Sequence, residues 1–267
     1  MNFFQDISKL IKNFSLIQRM ARKEMTDRYA GSVFGLLWTI IQPLFLITLY
    51  TLVFTFVFKV RIGGSGSPIS YAFYAIAGLL PWMAFADGLS KSISSISGKT
   101  SLVKQAIFPT DILPIVSVLT GFYSLIIGFV IYLSAELLIN PEQFSLWLLI
   151  LPLVILIHFL FMAGLAYFLA IIGVYFRDIT EFISLLLTVG LFVTPILYVE
   201  QSIPQVFRLP MQLNLIAHLI NMYRDVVFYG QINHPVSFIV FSASAILIFF
   251  IGFVSFKKVK HLFANVL

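Results

Sequence analysis

The tetrapeptide Ser97-Gly98-Lys99-Thr100 is the part of the sequence that looks most like a chemical site, because it matches the end of a phosphate-binding loop. Such a loop also needs a glycine five residues before Gly98, and it lies between a strand and a helix of an α/β domain. Ile93 occupies that glycine position, and the tetrapeptide falls between two long apolar stretches. The sequence therefore argues against nucleotide binding at this segment.

His158 is the one ionisable residue inside the long apolar stretches, and it has no carboxylate within a helical turn. A transporter driven by protons or sodium needs ionisable or cation-coordinating groups at membrane depth. The pattern favours a buried histidine bonded to a carbonyl or to water over a proton relay. The carboxylates near the stretches lie at their ends: Asp87, Asp111, Asp178, Glu181 and Glu200.

Enzyme chemistry is not indicated elsewhere in the sequence. The chain has no cysteine, which excludes disulfides and thiolate zinc sites, and it has neither a metal-ligand cluster nor a G-x-S-x-G nucleophile motif. We predict a protein that is not an enzyme, with no catalytic residue, no metal and no cofactor of its own. If it moves a substrate uphill, a separate ATPase subunit has to supply the energy.

The composition is that of a membrane protein. Of its 267 residues, 60% are hydrophobic and 10% are charged, whereas soluble domains carry about 25% charged residues. The net charge of +6 fits the excess of Lys and Arg in the cytoplasmic loops of membrane proteins better than a nucleic-acid surface. We expect membrane lipid as a partner, and no nucleic acid.

Six stretches without Asp, Glu, Lys or Arg qualify as membrane spans. A helix that rises about 1.5 Å per residue needs about 20 residues to cross a hydrocarbon core about 30 Å thick. The predicted spans are 33–58, 69–86, 112–135, 144–176, 182–199 and 236–256. Pro81 and Pro195 fall in the two shortest, and it stays open whether these two are bent or enter and leave on one side.

Basic residues orient the chain. If the N-terminus is cytoplasmic, 13 of the 17 Lys and Arg residues lie on the cytoplasmic side, so both termini are predicted to be cytoplasmic. The first 32 residues hold nine charges and no continuous apolar core, which argues against a cleavable signal. We therefore divide the chain into an interfacial segment, 1–32, and a transmembrane domain, 33–267.

Two segments outside the spans show helical periodicity. The first predicts an amphipathic helix on the inner membrane surface or against a partner, with an ordinary solvent-facing helix as the alternative. Its apolar stripe is Phe3, Ile7, Leu10, Phe14 and Ile17. The second, within 200–235, predicts a short helix on the outer face that acts either as a gate or as a packing cap. Its stripe is Leu213, Ile216, Ile220, Tyr223 and Val227, with Asn214, His218, Asn221 and Arg224 off it.

An ordered set of motifs resembles the ABC-2-type polysaccharide export permeases, the membrane subunits that export O-antigen, capsule or teichoic acid. In chain order the motifs are Arg28-Tyr29-Ala30-Gly31-Ser32-Val33-Phe34-Gly35-Leu36-Leu37-Trp38 with Gln42-Pro43, Ala77-Gly78-Leu79-Leu80-Pro81-Trp82, Leu102-Val103-Lys104 with Phe108-Pro109 and Ile112-Leu113-Pro114, Tyr175-Phe176-Arg177-Asp178, Thr194-Pro195-Ile196-Leu197-Tyr198 and Tyr223-Arg224-Asp225. The resemblance covers nearly the whole chain. One departure is Leu215 after Asn214, where the family usually has Asn-Pro.

The resemblance implies an all-α, polytopic fold with six transmembrane helices, an N-terminal interfacial helix and cytoplasmic termini. It also implies that two copies of the chain pair, with the first and fifth spans lining a channel. Two separate ATP-binding-cassette subunits, which hold the ATP and Mg, would dock below. The expected substrate is a lipid-linked polysaccharide, with O-antigen favoured, and the expected location is the inner (plasma) membrane of a bacterium.

Three sets of candidate residues follow. Sugar rings pack on aromatic faces and their hydroxyls bond to polar groups, so the channel candidates are Trp38, Tyr50, Phe192 and Tyr198. The candidates for contact with the ATPase are Arg19, Arg28, Lys99, Lys104, Arg177 and Asp178, of which Arg28, Arg177 and Asp178 are equally well explained as headgroup anchors. The outer-gate candidates are Ile216, Ile220, Tyr223 and Arg224.

Two other functions stay in view. An ABC-2-type exporter of a drug or lipid would share the fold and differ in cargo. A membrane-embedded glycosyltransferase would need carboxylates or an arginine cluster at a site, and the short loops offer no obvious pair.

Overall fold

Long apolar runs fold into helices in this protein, since a helix satisfies its own backbone hydrogen bonds where water is absent. The computed structural model describes residues 3–53, 68–105, 108–139, 145–176, 178–199 and 204–267. Within these ranges the chain is helical and has no strand, so the predicted all-α class is confirmed for the described residues.

The helices are numbered in chain order. Their bounds are α1 Phe3–Lys12, α2 Phe14–Arg28, α3 Trp38–Leu52, α4 Pro68–Ile93, α5 Thr100–Val103, α6 Ile112–Ile139, α7 Leu151–Tyr175, α8 Ile179–Val193, α9 Gln205–Leu213, α10 Leu215–Val227, α11 Pro235–Val259 and α12 Phe263–Val266. Short 3-10 turns precede or follow several of them at Gly35–Leu37, Ser97–Lys99, Leu146–Ile150 and Lys260–Leu262.

Four helical segments among the described residues are long and apolar enough to cross a membrane. They are Ser70–Ile93, Ile112–Ile139, Leu146–Tyr175 and Pro235–Leu262, and they correspond to the second, third, fourth and sixth predicted spans. The second is longer than predicted: α4 runs without interruption past Pro81 and through Asp87. The loop that the sequence places from Asp87 onward therefore begins only after Ile93.

The first and fifth predicted spans differ from the other four. The described part of the first consists of a 3-10 turn and α3, and residues 54–58 of the prediction lie outside the described residues. In the fifth, α8 has 15 residues, which cover about 22 Å at about 1.5 Å per residue. At Thr194 the backbone turns extended, and the segment 194–199 continues without a helix.

Close contact between backbones sets the packing of the long helices. A methyl group on Gly164 of α7 would lie 2.5 Å from the backbone nitrogen of Phe249 on α11. A methyl group on Gly121 of α6 would lie 2.9 Å from the backbone oxygen of Ala84 on α4. Small residues allow this close approach. Because the hydrophobic effect does not drive helices together in lipid, van der Waals contact between the helices takes its place.

The N-terminal segment forms two helices where the sequence predicts one, because α1 ends and α2 begins on either side of Asn13. Ile17 and Ala21 of α2 are buried in an apolar cluster. Phe14, a member of the predicted stripe, is exposed. Besides α2, the cluster contains residues from the segment after α4, from the start of α6 and from the end of the chain: Ile96, Val103, Ile112, Val116, Phe256 and Phe263. Helix α2 is thus packed onto this end of the helix bundle.

Candidate functional site

A groove of about 410 Å³ lies between α3, α4, α6 and α8. Hydroxyl-bearing side chains line part of it: Thr39, Ser90, Ser124, Ser184 and Thr188. Apolar side chains line another part, among them Leu79, Leu80, Trp82, Met83, Leu125, Leu187 and Leu191. Such a wall offers hydrogen bonds to the neutral polar groups of a ligand and apolar contact to its flat faces.

Thr39 gives the groove an unused hydrogen-bonding group. Its side chain is 4% exposed, and its hydroxyl has no hydrogen-bond partner among the described residues. An unsatisfied buried hydroxyl costs about 1–3 kcal/mol. A ligand hydroxyl or carbonyl in the groove would remove this cost.

Three charged side chains close one end of the groove. The Arg28 guanidinium at the end of α2 donates to the Asp87 carboxylate at 3.0 Å, and the Lys91 ammonium donates to the same carboxylate at 2.6 Å. Lys91 also donates to the Thr120 hydroxyl at 3.0 Å. The network joins α2 to α4 and α6 beside the groove. Asp87 was recognised from the sequence as a residue at a span end, but its role as the partner of Arg28 was not.

The four aromatic channel candidates occupy different surroundings. Trp38 is partly exposed at the start of α3 and packs edge-to-face on Phe34. Phe192 is exposed near the end of α8. Tyr198 is half-buried, and its hydroxyl donates to the Val193 carbonyl at 3.0 Å. Tyr50 lies in α3, and its side chain is outside the described part of the protein.

The motif Tyr223-Arg224-Asp225 is buried in the bundle, with each side chain bonded to a different element. The Tyr223 hydroxyl lies 3.1 Å from His158 Nδ1 on α7. The Arg224 guanidinium donates to the Pro195 and Ile196 carbonyls, each at 2.6 Å. The Asp225 carboxylate accepts from the backbone N–H groups of Asn233 and His234 and from the His234 ring, at 2.7–3.0 Å.

Helix α10 therefore differs from the surface helix that the sequence predicts. Arg224, which the apolar stripe leaves on the polar side, is 1% exposed, and Asn221 is also buried. Ile220 belongs to a large cluster of buried apolar side chains, mainly from α4, α6, α7, α10 and α11, and Ile216 packs against this cluster. The Asn214 side chain caps the helix by accepting from the Ile216 N–H at 2.9 Å. His158 is buried as predicted, and its Nδ1 lies next to the Tyr223 hydroxyl.

Lys99, the lysine of the phosphate-loop lookalike, forms an ion pair instead. Its ammonium donates to the Glu24 carboxylate of α2 at 2.6 Å, and the backbone around it is a 3-10 turn. The pair ties α2 to the segment between α4 and α6. Glu24 had no role in the sequence analysis, because its partner lies 75 residues away.

Three of the other contact candidates lie on the surface. Arg19 is exposed and donates to the Ser15 carbonyl of its own helix at 3.3 Å. Lys104 and Asp178 are also exposed, and Asp178 makes no side-chain cap at the start of α8. Arg177 falls outside the described residues.

A buried ion cluster that the sequence analysis missed joins both ends of the chain. The Asp111 carboxylate, 10% exposed, accepts from the Lys257 ammonium, and from that of Lys260 at 2.8 Å. Lys257 also donates to Asp6 of α1 at 3.3 Å. The cluster connects α1, the residues before α6 and the end of α11. Within the described ranges, no group of three or more His, Cys, Asp or Glu residues could hold a metal ion.

Comparison with known proteins adds a family and several relatives. A family model described as ABC-2 type transporter matches residues 15–228. An O-antigen export system permease protein of Klebsiella pneumoniae is 27% identical over 254 residues, which cover 95% of each chain. One of Myxococcus xanthus is 28% identical over 264 residues, covering 97% of this chain and 98% of the relative. A polysialic acid transport protein of Escherichia coli is 20% identical over 245 residues, covering 90% and 92%.

Proposed function

This chain belongs to the ABC-2 type transporter family, and we propose that it is the permease subunit of an exporter that moves a polysaccharide across a bacterial membrane. The observation that carries the proposal is the similarity, over at least nine-tenths of each chain, to permeases for O-antigen and a transport protein for polysialic acid. Because the family match covers residues 15–228, it includes the groove and its charged end.

The groove between α3, α4, α6 and α8 supports a carbohydrate substrate. A sugar presents hydroxyls around its rim and C–H groups on its faces, and the groove offers hydroxyl side chains beside apolar ones. A sugar hydroxyl that enters the groove wall would give the buried Thr39 hydroxyl a partner. Binding of this kind is weak at each position, which suits a polymer that must slide past many positions.

Energy for export comes, in this proposal, from two separate ATP-binding-cassette subunits that hold ATP and Mg. The exposed face of α2 and the segment that follows α4 are the surfaces we assign to them. The pair Lys99–Glu24 and the pair Arg28–Asp87 link these surfaces to each other and to the groove. A push on α2 would then reach the groove through side chains that are already in contact.

Two copies of the chain complete the translocation path in this scheme. Large apolar side chains on α3 and α8 are exposed in the single chain, among them Phe45, Phe182, Leu185 and Phe192. Pairing would bring these faces together, with six spans in each copy and with the stretches 33–58 and 182–199 at the path. We place the protein in the inner membrane with both termini cytoplasmic, and we propose a lipid-linked glycan, with O-antigen favoured, as the cargo.

The test is export of a labelled lipid-linked glycan by the chain together with its ATPase in proteoliposomes. Thr39→Val removes the groove hydroxyl at nearly constant volume. Its matched control on the same helix is Thr48→Val, since the Thr48 hydroxyl donates to the Leu44 carbonyl at 2.7 Å and does not line the groove. We expect Thr39→Val to slow export roughly tenfold, the value of one hydrogen bond of about 1.4 kcal/mol, and Thr48→Val to leave it unchanged.

Three outcomes would count against the proposal. Normal surface glycan in a host that lacks the gene, with no redundant exporter, would remove the assigned cargo. ATP hydrolysis stimulated by hydrophobic compounds and not by glycan would identify a drug or lipid exporter instead. Sugar transfer catalysed by the purified chain alone would identify a glycosyltransferase.

A further inference from the structure

Helix α8 and the residues that directly follow it differ in burial. Every residue of the helix from Ile179 to Val193 is exposed or only partly buried. The residues that directly follow are buried: Thr194, Pro195, Ile196 and Leu197. One side of α8 packs against the bundle through partly buried side chains, Ile179, Ile183, Leu187 and Leu191, while residues 194–197 of the non-helical segment at its end are buried.

Four consecutive carbonyls of that segment accept hydrogen bonds from side chains of α4 and α10. The two guanidinium nitrogens of Arg224 donate to Pro195 and Ile196, as described above. The Tyr71 hydroxyl donates to the Leu197 carbonyl at 2.7 Å, and the Tyr74 hydroxyl donates to the Tyr198 carbonyl at 3.4 Å. We call these three side chains, Arg224, Tyr71 and Tyr74, the carbonyl clamp.

The clamp answers a physical requirement of irregular backbone inside a membrane protein. A helix that ends within the bundle leaves carbonyls without intrahelical partners, and at membrane depth these must be satisfied by protein. The planar guanidinium can reach two neighbouring carbonyls at once, which a lysine ammonium cannot do in the same geometry. Its carbon also lies 3.6 Å from the centre of the Tyr74 ring, a cation–π contact.

Space for the guanidinium is provided by a glycine on α4. A methyl group on Gly78 would lie 3.0 Å from an Arg224 side-chain nitrogen and 3.1 Å from Ile220. Asn214, at the start of α10, adds a further bond by donating to the Thr194 hydroxyl at 3.0 Å. The end of α8 is thus tied to α10 at two points and to α4 at two more.

We propose that Arg224 is a positioning residue for export: through the carbonyl clamp it makes the end of α8 and helix α10 move as one body. Phe192, which lies just before the clamped segment, and Tyr198, whose carbonyl belongs to it, keep their places only while the clamp holds. This inference rests on the proposed function, because α8 forms part of the groove through which the glycan passes. Loss of the clamp uncouples the end of α8 from α10, so ATP is hydrolysed without a matching movement of glycan.

The variants that test the inference are Arg224→Lys and Tyr71→Phe, with Tyr132→Phe as the matched control. Tyr132→Phe also removes a buried hydroxyl, one that donates to the Val227 carbonyl at 3.3 Å at the last residue of α10, and it leaves the clamp intact. The measurement is glycan exported per ATP hydrolysed by the complex in proteoliposomes, together with the melting temperature of each purified variant. We expect Arg224→Lys to lower export per ATP roughly tenfold or more, the loss of a charge-assisted bond, and Tyr71→Phe to lower it less.

The outcomes separate positioning from mere stability. A structural role would lower the melting temperature in all three variants and leave export per ATP unchanged in the protein that remains folded, and this result would overturn the inference. If Arg224→Lys does not fold, Tyr71→Phe decides, because equal coupling in Tyr71→Phe and Tyr132→Phe would also overturn it. Failure of the wild-type complex to export any glycan would instead refute the proposed function.

Discussion

The ion pair between Lys99 and Glu24 gives a prediction that separates two interpretations of the tetrapeptide Ser97-Gly98-Lys99-Thr100. If the pair holds α2 against the segment after α4, reversing either charge weakens that attachment. Glu24→Lys combined with Lys99→Glu exchanges the two charges. It restores an attractive ion pair, with the positive charge on α2 and the negative charge on the segment after α4. If Lys99 instead bound a nucleotide phosphate, the exchange would restore nothing.

The size of the effect follows from the distance and the exposure of the pair. The ammonium and the carboxylate lie 2.6 Å apart, with 26% and 27% of the two side chains exposed. A partly exposed pair of this kind contributes about 0.5–1 kcal/mol, and two like charges about 4 Å apart repel by about 1 kcal/mol even in water. A single reversal should therefore cost about 1.5–2 kcal/mol, which is roughly a ten- to thirtyfold change in the docked population of α2.

The assay is export by the reconstituted complex, with the melting temperature of each purified variant as a second readout. We expect both single reversals to impair export and the double variant to recover most of it. Lys12→Glu, at an exposed site at the end of α1, changes the net charge by the same amount and should export normally. The reasoning fails if the double variant is as impaired as the single ones, or if Lys12→Glu is impaired to the same extent. Nucleotide binding by the chain alone that is lost in Lys99→Glu would make Lys99 a phosphate ligand.

Two further changes test the packing of the chain. Gly164→Ala should lower stability by about 1–2 kcal/mol, since overpacking against α11 costs more than the gain in helix propensity; a lower melting temperature in detergent would show it. Gly98→Ala is the control, because its methyl group would meet Ser94 at 3.9 Å, and an equal loss there would contradict the steric reason. Asp111→Asn leaves the buried Lys257 with Asp6 alone, so we expect a loss of about 1–3 kcal/mol and faster trypsin cleavage within α1. Unchanged cleavage would show that the cluster does not hold α1.

Much of the helical framework could be predicted because its signal is local. Each long helix contains an uncharged apolar run, and one amphipathic period marks α1 with the start of α2, another α10. The prediction was wrong about where the second span ends, since it treated Asp87 as the start of a loop. In the helix, Asp87 pairs with both Arg28 and Lys91, and the sequence does not show that Arg28 will come near.

The buried face of α10 could not be read from the same kind of pattern. Periodicity sorts residues by polarity and places Arg224 on the solvent-facing side of the helix. The structure instead buries Arg224 over the Tyr74 ring. The exception has a physical reason: the open carbonyls after α8 offer the guanidinium two acceptors, which compensate its desolvation. Those acceptors come within reach of Arg224 only because the segment after α8 lies beside α10.

By itself the sequence determined that the protein is a helical membrane protein, where most of its long helices lie, and which motifs place it near polysaccharide exporters. These properties depend on hydropathy, charge and residue order over short distances. Tertiary structure alone decided the partners: Lys99 with Glu24 across 75 positions, Lys257 with Asp111 across 146, and Arg224 with Pro195 across 29. A charged side chain near the membrane needs a partner, but which partner it finds depends on which helix faces meet, and that is set by packing between distant segments.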